Sequence, residues 1–300
     1  MIKWSGYALA LMTALLLPAI PGTVSGAVAL VRTRAAHTND ACMDAGTATN
    51  AVVRFYLAVD RRQLGAAYGC LAPSEQAQLP YTTFLQGYAH TRATRLLTAN
   101  GDAGITAVPT PMTETMTETM TSGVSGTAPS TVTVTFEAVD TSGDGLVARR
   151  DTERWRVDAS NRLALGILRP GSASIVRAVP TVDVSRVLTD TGQQTLALVH
   201  ADVTADRASD DIYLTSGTGC GSCHSQQILI YSRGRLVFAE RVDNGEVRVA
   251  RGGGGFEVRA TTPGSSGPDC CPSARTYEEW AWTSYGFALR GRRIVRSHGA

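Results

Sequence analysis

Lysine is almost missing from this chain of 300 residues: Lys3 is the only one, and arginine supplies the rest of the 28 cations. That bias reads as GC-rich codon usage, not as a binding signature. Against 26 acidic residues the cations leave a formal net charge of only +2. No basic excess is available to track phosphates, which excludes nucleic acid as a partner. Charged residues make up just 18% and hydrophobic ones 43%, so the chain can build packed cores and is not disordered as a whole. Several catalytic signatures are absent too: no Gly-x-Ser-x-Gly elbow, no phosphate-binding loop and no His-Glu-x-x-His. The run Gly252–Gly255 precedes a strand-like segment and so makes no phosphate cradle. The five histidines are scattered, none beside a nucleophile, so no catalytic residue is assigned.

What is present begins with a leader. Lys3 and the apolar run from Tyr7 to Ile20 form a charged start and a hydrophobic region of signal-peptide length, and Ser25-Gly-Ala27 offers small residues for cleavage. The apolar stretch can also be continued to Val31, about the ~20 residues a membrane-spanning helix needs. Residues 1–31 are therefore a signal peptide or a membrane anchor, and the expected location is extracytoplasmic, secreted or held at the membrane. No lipobox precedes Cys42, the first cysteine.

Low-complexity stretches divide the remainder. Residues 32–45 form a polar linker, residues 106–130 a Thr/Met/Ser/Pro loop without a core pattern, and residues 171–181 a second linker. Between the first two, apolar residues recur at helical spacing. Val52, Val53, Tyr56, Leu57 and Val59 follow N-cap candidates Thr47, Thr49 and Asn50. Leu64, Ala67, Tyr68 and Leu71 continue a second helix that Pro73 stops. Pro80 opens a third, with Tyr81, Phe84, Leu85 and Tyr88 on one face. After the loop the period falls to two, in Val132, Val134 and Phe136, in Trp155 and Val157, and in Leu163, Leu165 and Ile167. Residues 46–170 are thus expected to be an α+β domain of three helices packed on a curved antiparallel sheet. Residues 182–300 are rich in short β segments with turn signals at Arg233-Gly234 and Asn244-Gly245, and end in an aromatic-rich hairpin, so an all-β domain is expected there.

The segments Asn50-Ala-Val-Val-Arg-Phe-Tyr-Leu-Ala-Val-Asp60, Leu64-Gly-Ala-Ala-Tyr-Gly-Cys-Leu-Ala-Pro-Ser74, Tyr81-Thr-Thr-Phe-Leu-Gln-Gly-Tyr88 and Trp155-Arg-Val157 resemble the nuclear-transport-factor-2-like superfamily. That resemblance implies a cone-shaped α+β fold with a pocket, whose lining or core would include Tyr56, Tyr68, Phe84, Tyr88, Phe136 and Trp155. It carries no catalytic residue over. More loosely, Ala201-Asp-Val-Thr-Ala-Asp-Arg-Ala-Ser-Asp-Asp211 and Pro268-Asp-Cys-Cys-Pro-Ser273 resemble exported bacterial β domains with a degenerate integrin-type Asp-rich segment.

Three cofactor readings compete in the second half. Cys220-Gly-Ser-Cys-His224 spells the c-type haem attachment signature, with Cys220, Cys223 and His224 as the haem residues. The cysteine count favours disulfides instead: Cys42 with Cys70 in the first domain, and Cys220, Cys223, Cys270 and Cys271 in the second. Each bridge across the second set would close a loop of about 50 residues, worth about 3–4 kcal/mol in the chain-entropy model. Asp202, Asp206, Asp210 and Asp211 have the spacing of a Ca²⁺ loop, but Arg207 stands where the integrin-type turn has glycine. Asp140-Thr-Ser-Gly-Asp-Gly145 has calcium-like spacing without the closing Glu, and reads as a hairpin turn. No cofactor is expected, with haem c or Ca²⁺ as the exceptions. The functional expectation is a cell-envelope protein that binds a small molecule or an envelope protein, with the membrane reached through the N-terminal segment. An enzyme using the first domain's pocket and a haem electron-transfer protein are the alternatives.

Overall fold

A computed structural model of the protein describes residues 41–101, 130–143, 145–217, 225–250, 253–261 and 274–296. The leader and the long Thr/Met loop lie outside these residues. Among the described residues no helix is long and apolar enough to cross a membrane.

The chain is mostly β. Strands take 57% of the described residues, in three four-stranded antiparallel sheets, and this overturns the expected three-helix α+β domain. The helices are short. α1 (Ala48–Asp60) is the longest, capped by the Thr47 side chain, which accepts from the Asn50 N–H. α2 (Leu64–Gly69), α3 (Pro73–Gln78) and α4 (Tyr81–Gly87) follow. Pro73 does not merely stop α2; it starts α3, because its fixed φ and missing N–H suit a first helical turn. A fifth helix, α5 (Val184–Asp190), lies in the half expected to be all β.

The first sheet has the order β1 (Thr91–Gly101), β2 (Ser130–Ser142), β3 (Gly145–Val157), β4 (Leu163–Val176). β2 and β3 pair antiparallel up to Ser142 opposite Gly145, where the sequence reads as a hairpin turn. β4 runs through Pro170 to Val176, so half of the expected linker is strand. Proline is tolerated there because β4 is the sheet's outer strand. Two bulges interrupt the β3–β4 ladder, between Arg150 and Thr152 and between Arg154 and Arg156. They break the simple alternation expected of β4: Leu163 is fully buried, but Ile167 is 73% exposed.

The second sheet comprises β5 (Gln193–Ala201), β6 (Asp210–Gly217), β7 (Ser225–Ser232) and β8 (Arg235–Asp243). The third comprises β9 (Glu246–Val249), β10 (Gly255–Thr261), β11 (Ala274–Thr283) and β12 (Gly286–Arg296). Arg233-Gly234 makes the β7–β8 hairpin, both residues having positive φ as a two-residue turn demands. Asn244-Gly245 does not form a hairpin. It carries the chain from β8 in one sheet to β9 in another. Phe238 of β8 joins the two sheets, stacked edge-on against Phe256, Trp280 and Phe287.

One hydrophobic cluster runs through both halves, from Ala41 to Phe287. The end of the expected polar linker belongs to it, since Ala41 and Cys42 are buried. Polar groups seal the junction. The carbonyls of Leu97 and Ala99, on the outer strand β1, accept from the Tyr231 hydroxyl (2.6 Å) and the Gln227 amide (2.5 Å). Arg54, 1% exposed, donates from α1 to the carbonyls of Phe287 and Ala41 and pairs with Asp44. Cys42 and Cys70 are bridged, with Cα atoms 5.4 Å apart, tying the start of the described chain to the end of α2.

Candidate functional site

A small cavity of about 50 Å³, open to solvent at its mouth, lies between the helices and one face of the first sheet. α1 contributes Phe55 and Tyr56, and α4 and its exit contribute Phe84 and Tyr88. From the sheet come Phe136, Asp151, Glu153 and Trp155, with Thr91, Thr94, Ala138 and Leu168, and Leu71 and Leu79 complete the lining. The rings pack edge-on or tilted, with Tyr56 5.1 Å from Phe136 and Phe84 5.1 Å from Tyr88.

The acidic pair on β3 exists because of strand parity and the bulges. Asp151, Glu153 and Trp155 alternate onto the same face. At the first bulge Gly171 presses so close to β3 that a Cβ there would sit 1.9 Å from the Arg150 carbonyl oxygen. Its N–H, unpaired by the ladder, donates instead to Asp151 Oδ1 at 2.8 Å. That bond orients the carboxyl, whose other oxygen, Oδ2, is buried without a hydrogen-bond partner. Asp151 as a whole is 1% exposed.

Glu153, 9% exposed, accepts from the Tyr56 hydroxyl at 2.5 Å. The Tyr56 oxygen in turn lies 3.4 Å from the Trp155 indole N–H. Burial pushes the Glu153 carboxyl up to about 7; hydrogen bonds from Tyr56 and Trp155 oppose the shift, and the neighbouring Asp151 adds to it. Burial likewise holds the Tyr56 and Tyr88 hydroxyls well above the ordinary phenol range, and Glu153 reinforces both shifts. No lysine, arginine or histidine lines the cavity. The nearest cation along the same strand face, Arg149, is paired with Asp140 and is also attracted to Asp151.

Searched against known protein families, the chain matches none, and it matches no curated protein.

Of the six aromatic residues named from the sequence, five line the cavity: Tyr56, Phe84, Tyr88, Phe136 and Trp155. Tyr68 stands behind them, its hydroxyl donating to the Leu79 carbonyl and its ring against Phe84. Asp151 and Glu153 escaped the sequence reading. The signal was there: both share the parity of Trp155, so acidic residues occupied inward positions of a strand.

The Asp-rich segment is built differently from a metal loop. Asp210, fully buried, accepts from the N–H groups of Val203 and Thr204. Asp202 accepts from Arg207 N–H, and Asp206 accepts from Ala208 N–H and pairs with Arg233. These carboxylates hold the turn to itself. Among the described residues no cluster of His, Cys, Asp and Glu is arranged to hold a metal ion. Asp211 faces the exposed His200 across the β5–β6 ladder at 2.8 Å. Cys220, Cys223, His224, Cys270 and Cys271 lie outside the described residues, and with them the haem signature and the second disulfide set.

Proposed function

We propose that the chain is a cell-envelope ligand-binding protein that receives a small, largely apolar molecule in the cavity beneath α1 and α4. The observation that carries this reading is Asp151, a lining residue of the cavity whose Oδ2 is buried without a partner. Other buried polar atoms are unpaired as well, on Arg54, Glu137, Arg149, Asp202 and Trp280, but Asp151 alone among these residues lines the cavity, where an unpaired buried acceptor carries a desolvation penalty that a donor can offset. A ligand that donates to it supplies the missing bond. The aromatic lining provides apolar contact area, as small-molecule sites do.

The test is cavity filling. Ala138→Phe puts a ring into the cavity from β2, and it is expected to abolish the thermal stabilisation that binding fragments give the wild type. Stabilisation by the same fragments, undiminished in the variant, would place their site elsewhere and end the proposal. The envelope location rests on residues 1–31 and is checked by fusing a periplasm-active reporter after residue 35; a silent reporter contradicts it.

One observation favours a second reading, the enzyme. A carboxyl that titrates near 7 beside a phenol and a second carboxyl has the make-up of a general acid–base pair. A bound ligand recovered chemically changed would favour it over simple binding.

A further inference from the structure

We infer that the cavity selects an organic ammonium: a small arylalkyl- or alkylamine whose cationic head sits between Asp151 and Glu153 while its apolar body lies among the aromatic rings. This rests on the reading of the cavity as a ligand site and adds the charge of the ligand.

Three features of the lining agree on that charge. Asp151 and Glu153 are nearly closed off from water, and they are the only ionisable groups of either sign at the wall besides the two tyrosines. Asp151 Oδ2 has no hydrogen-bond donor. The hydrogen bonds that Asp151 and Glu153 do receive come from a backbone N–H, a phenol and an indole, none of which carries charge. Arg149 stands next on the same face of β3, where it pairs with Asp140 and is also attracted to Asp151 from outside the lining. The cavity wall itself carries no cation. An ammonium group supplies both the donor that Asp151 Oδ2 lacks and a cation inside the cavity.

The rings point the same way. Phe55, Tyr56, Phe84, Tyr88, Phe136 and Trp155 surround the carboxyls. Aromatic faces carry negative quadrupole charge and attract cations, most strongly where water is excluded. A carboxylate or phosphate ligand would meet two acidic side chains and six electron-rich rings, with no arginine or lysine in the lining to receive it. A neutral alcohol could donate to Asp151 but would bring no cation to the rings.

The experiment is titration calorimetry of the full chain near neutral pH with three matched probes: 2-phenylethylamine, 2-phenylethanol and phenylacetate. The amine is expected to bind at least tenfold more tightly than the alcohol, and phenylacetate not to bind. Asp151→Asn keeps an oxygen for the Gly171 N–H and is expected to weaken the amine at least tenfold while changing the alcohol less than threefold. Glu153→Gln repeats the comparison should the first variant fail to fold. Equal or tighter binding of the alcohol or the acid overturns the ammonium assignment while leaving a ligand cavity in place. Failure of all three probes also overturns it, and the Ala138→Phe comparison then decides separately whether the cavity binds anything. An amine affinity that both carboxyl variants leave unchanged overturns it as well.

Discussion

Replacing Glu153 with glutamine should remove a defined part of the protein's pH-dependent stability. In the unfolded chain this carboxyl titrates near its ordinary 4.5, and in the folded protein burial moves it to about 7. Between those values the folded state keeps a proton that the unfolded state has released. Stability from this group is therefore full below about 4.5 and declines as pH rises. Once pH passes about 7, both states are ionised and the decline stops. The interval spans roughly two and a half pH units at about 1.4 kcal/mol each, so the ceiling is about 3 kcal/mol. For a chain of this size that corresponds to roughly 6–12 °C in melting temperature. Glutamine cannot ionise, and its carbonyl oxygen can still accept from Tyr56, so the variant differs by a constant offset plus the lost slope. Glu240 complicates the wild-type curve, because burial followed by repulsion from Glu278 raises it to about 8. That group is common to both proteins and cancels in the difference. The assay is denaturant unfolding of wild type and variant at half-unit steps from pH 4.5 to 8.5. If the difference between the two is flat across that range, the burial argument for Glu153 is wrong.

Three further outcomes follow from the packing. Cys70→Ser opens a loop closed by residues 28 apart and should cost about 3–4 kcal/mol, read as a melting point roughly 10 °C lower, with the native 42–70 linkage confirmed by non-reduced peptide mapping. Arg54→Met leaves the carbonyls of Phe287 and Ala41 without their donor and should destabilise by about 2–4 kcal/mol; a loss under ~0.5 kcal/mol in chemical denaturation would show that water replaces the guanidinium. Gly171→Ala drives a methyl into the Arg150 carbonyl and should cost more than about 2 kcal/mol, whereas Gly143→Ala, with open space around it, should be silent; equal melting points for the two variants would refute the close approach at the bulge.

Local pattern carried a good deal of the fold. The spacing of Val52, Val53, Tyr56, Leu57 and Val59 placed α1, and the alternation of Val132, Val134 and Phe136 placed β2, because each periodicity follows from backbone geometry alone. The even cysteine count in the first half was enough to pair Cys42 with Cys70. The aromatic lining was readable for the same reason as α1, since Tyr56, Phe84 and Tyr88 recur on inward helical faces.

What the chain does beyond one element was decided by tertiary structure. Asn244-Gly245 has the composition of a hairpin turn, yet its strands part into two sheets, which places Phe238 of one against Phe256 of the other. Pro170 looked like a terminator and became a bulge residue, since an outer strand asks nothing of its missing N–H. Asp151 and Glu153 looked like solvated charges on an amphipathic strand. They are buried because α1 and α4 cover that face, and the unpaired Oδ2 of Asp151 is what makes the cavity chemical. Periodicity tells which side chains share a face, whereas only packing across space tells whether that face meets water, another element or an empty site.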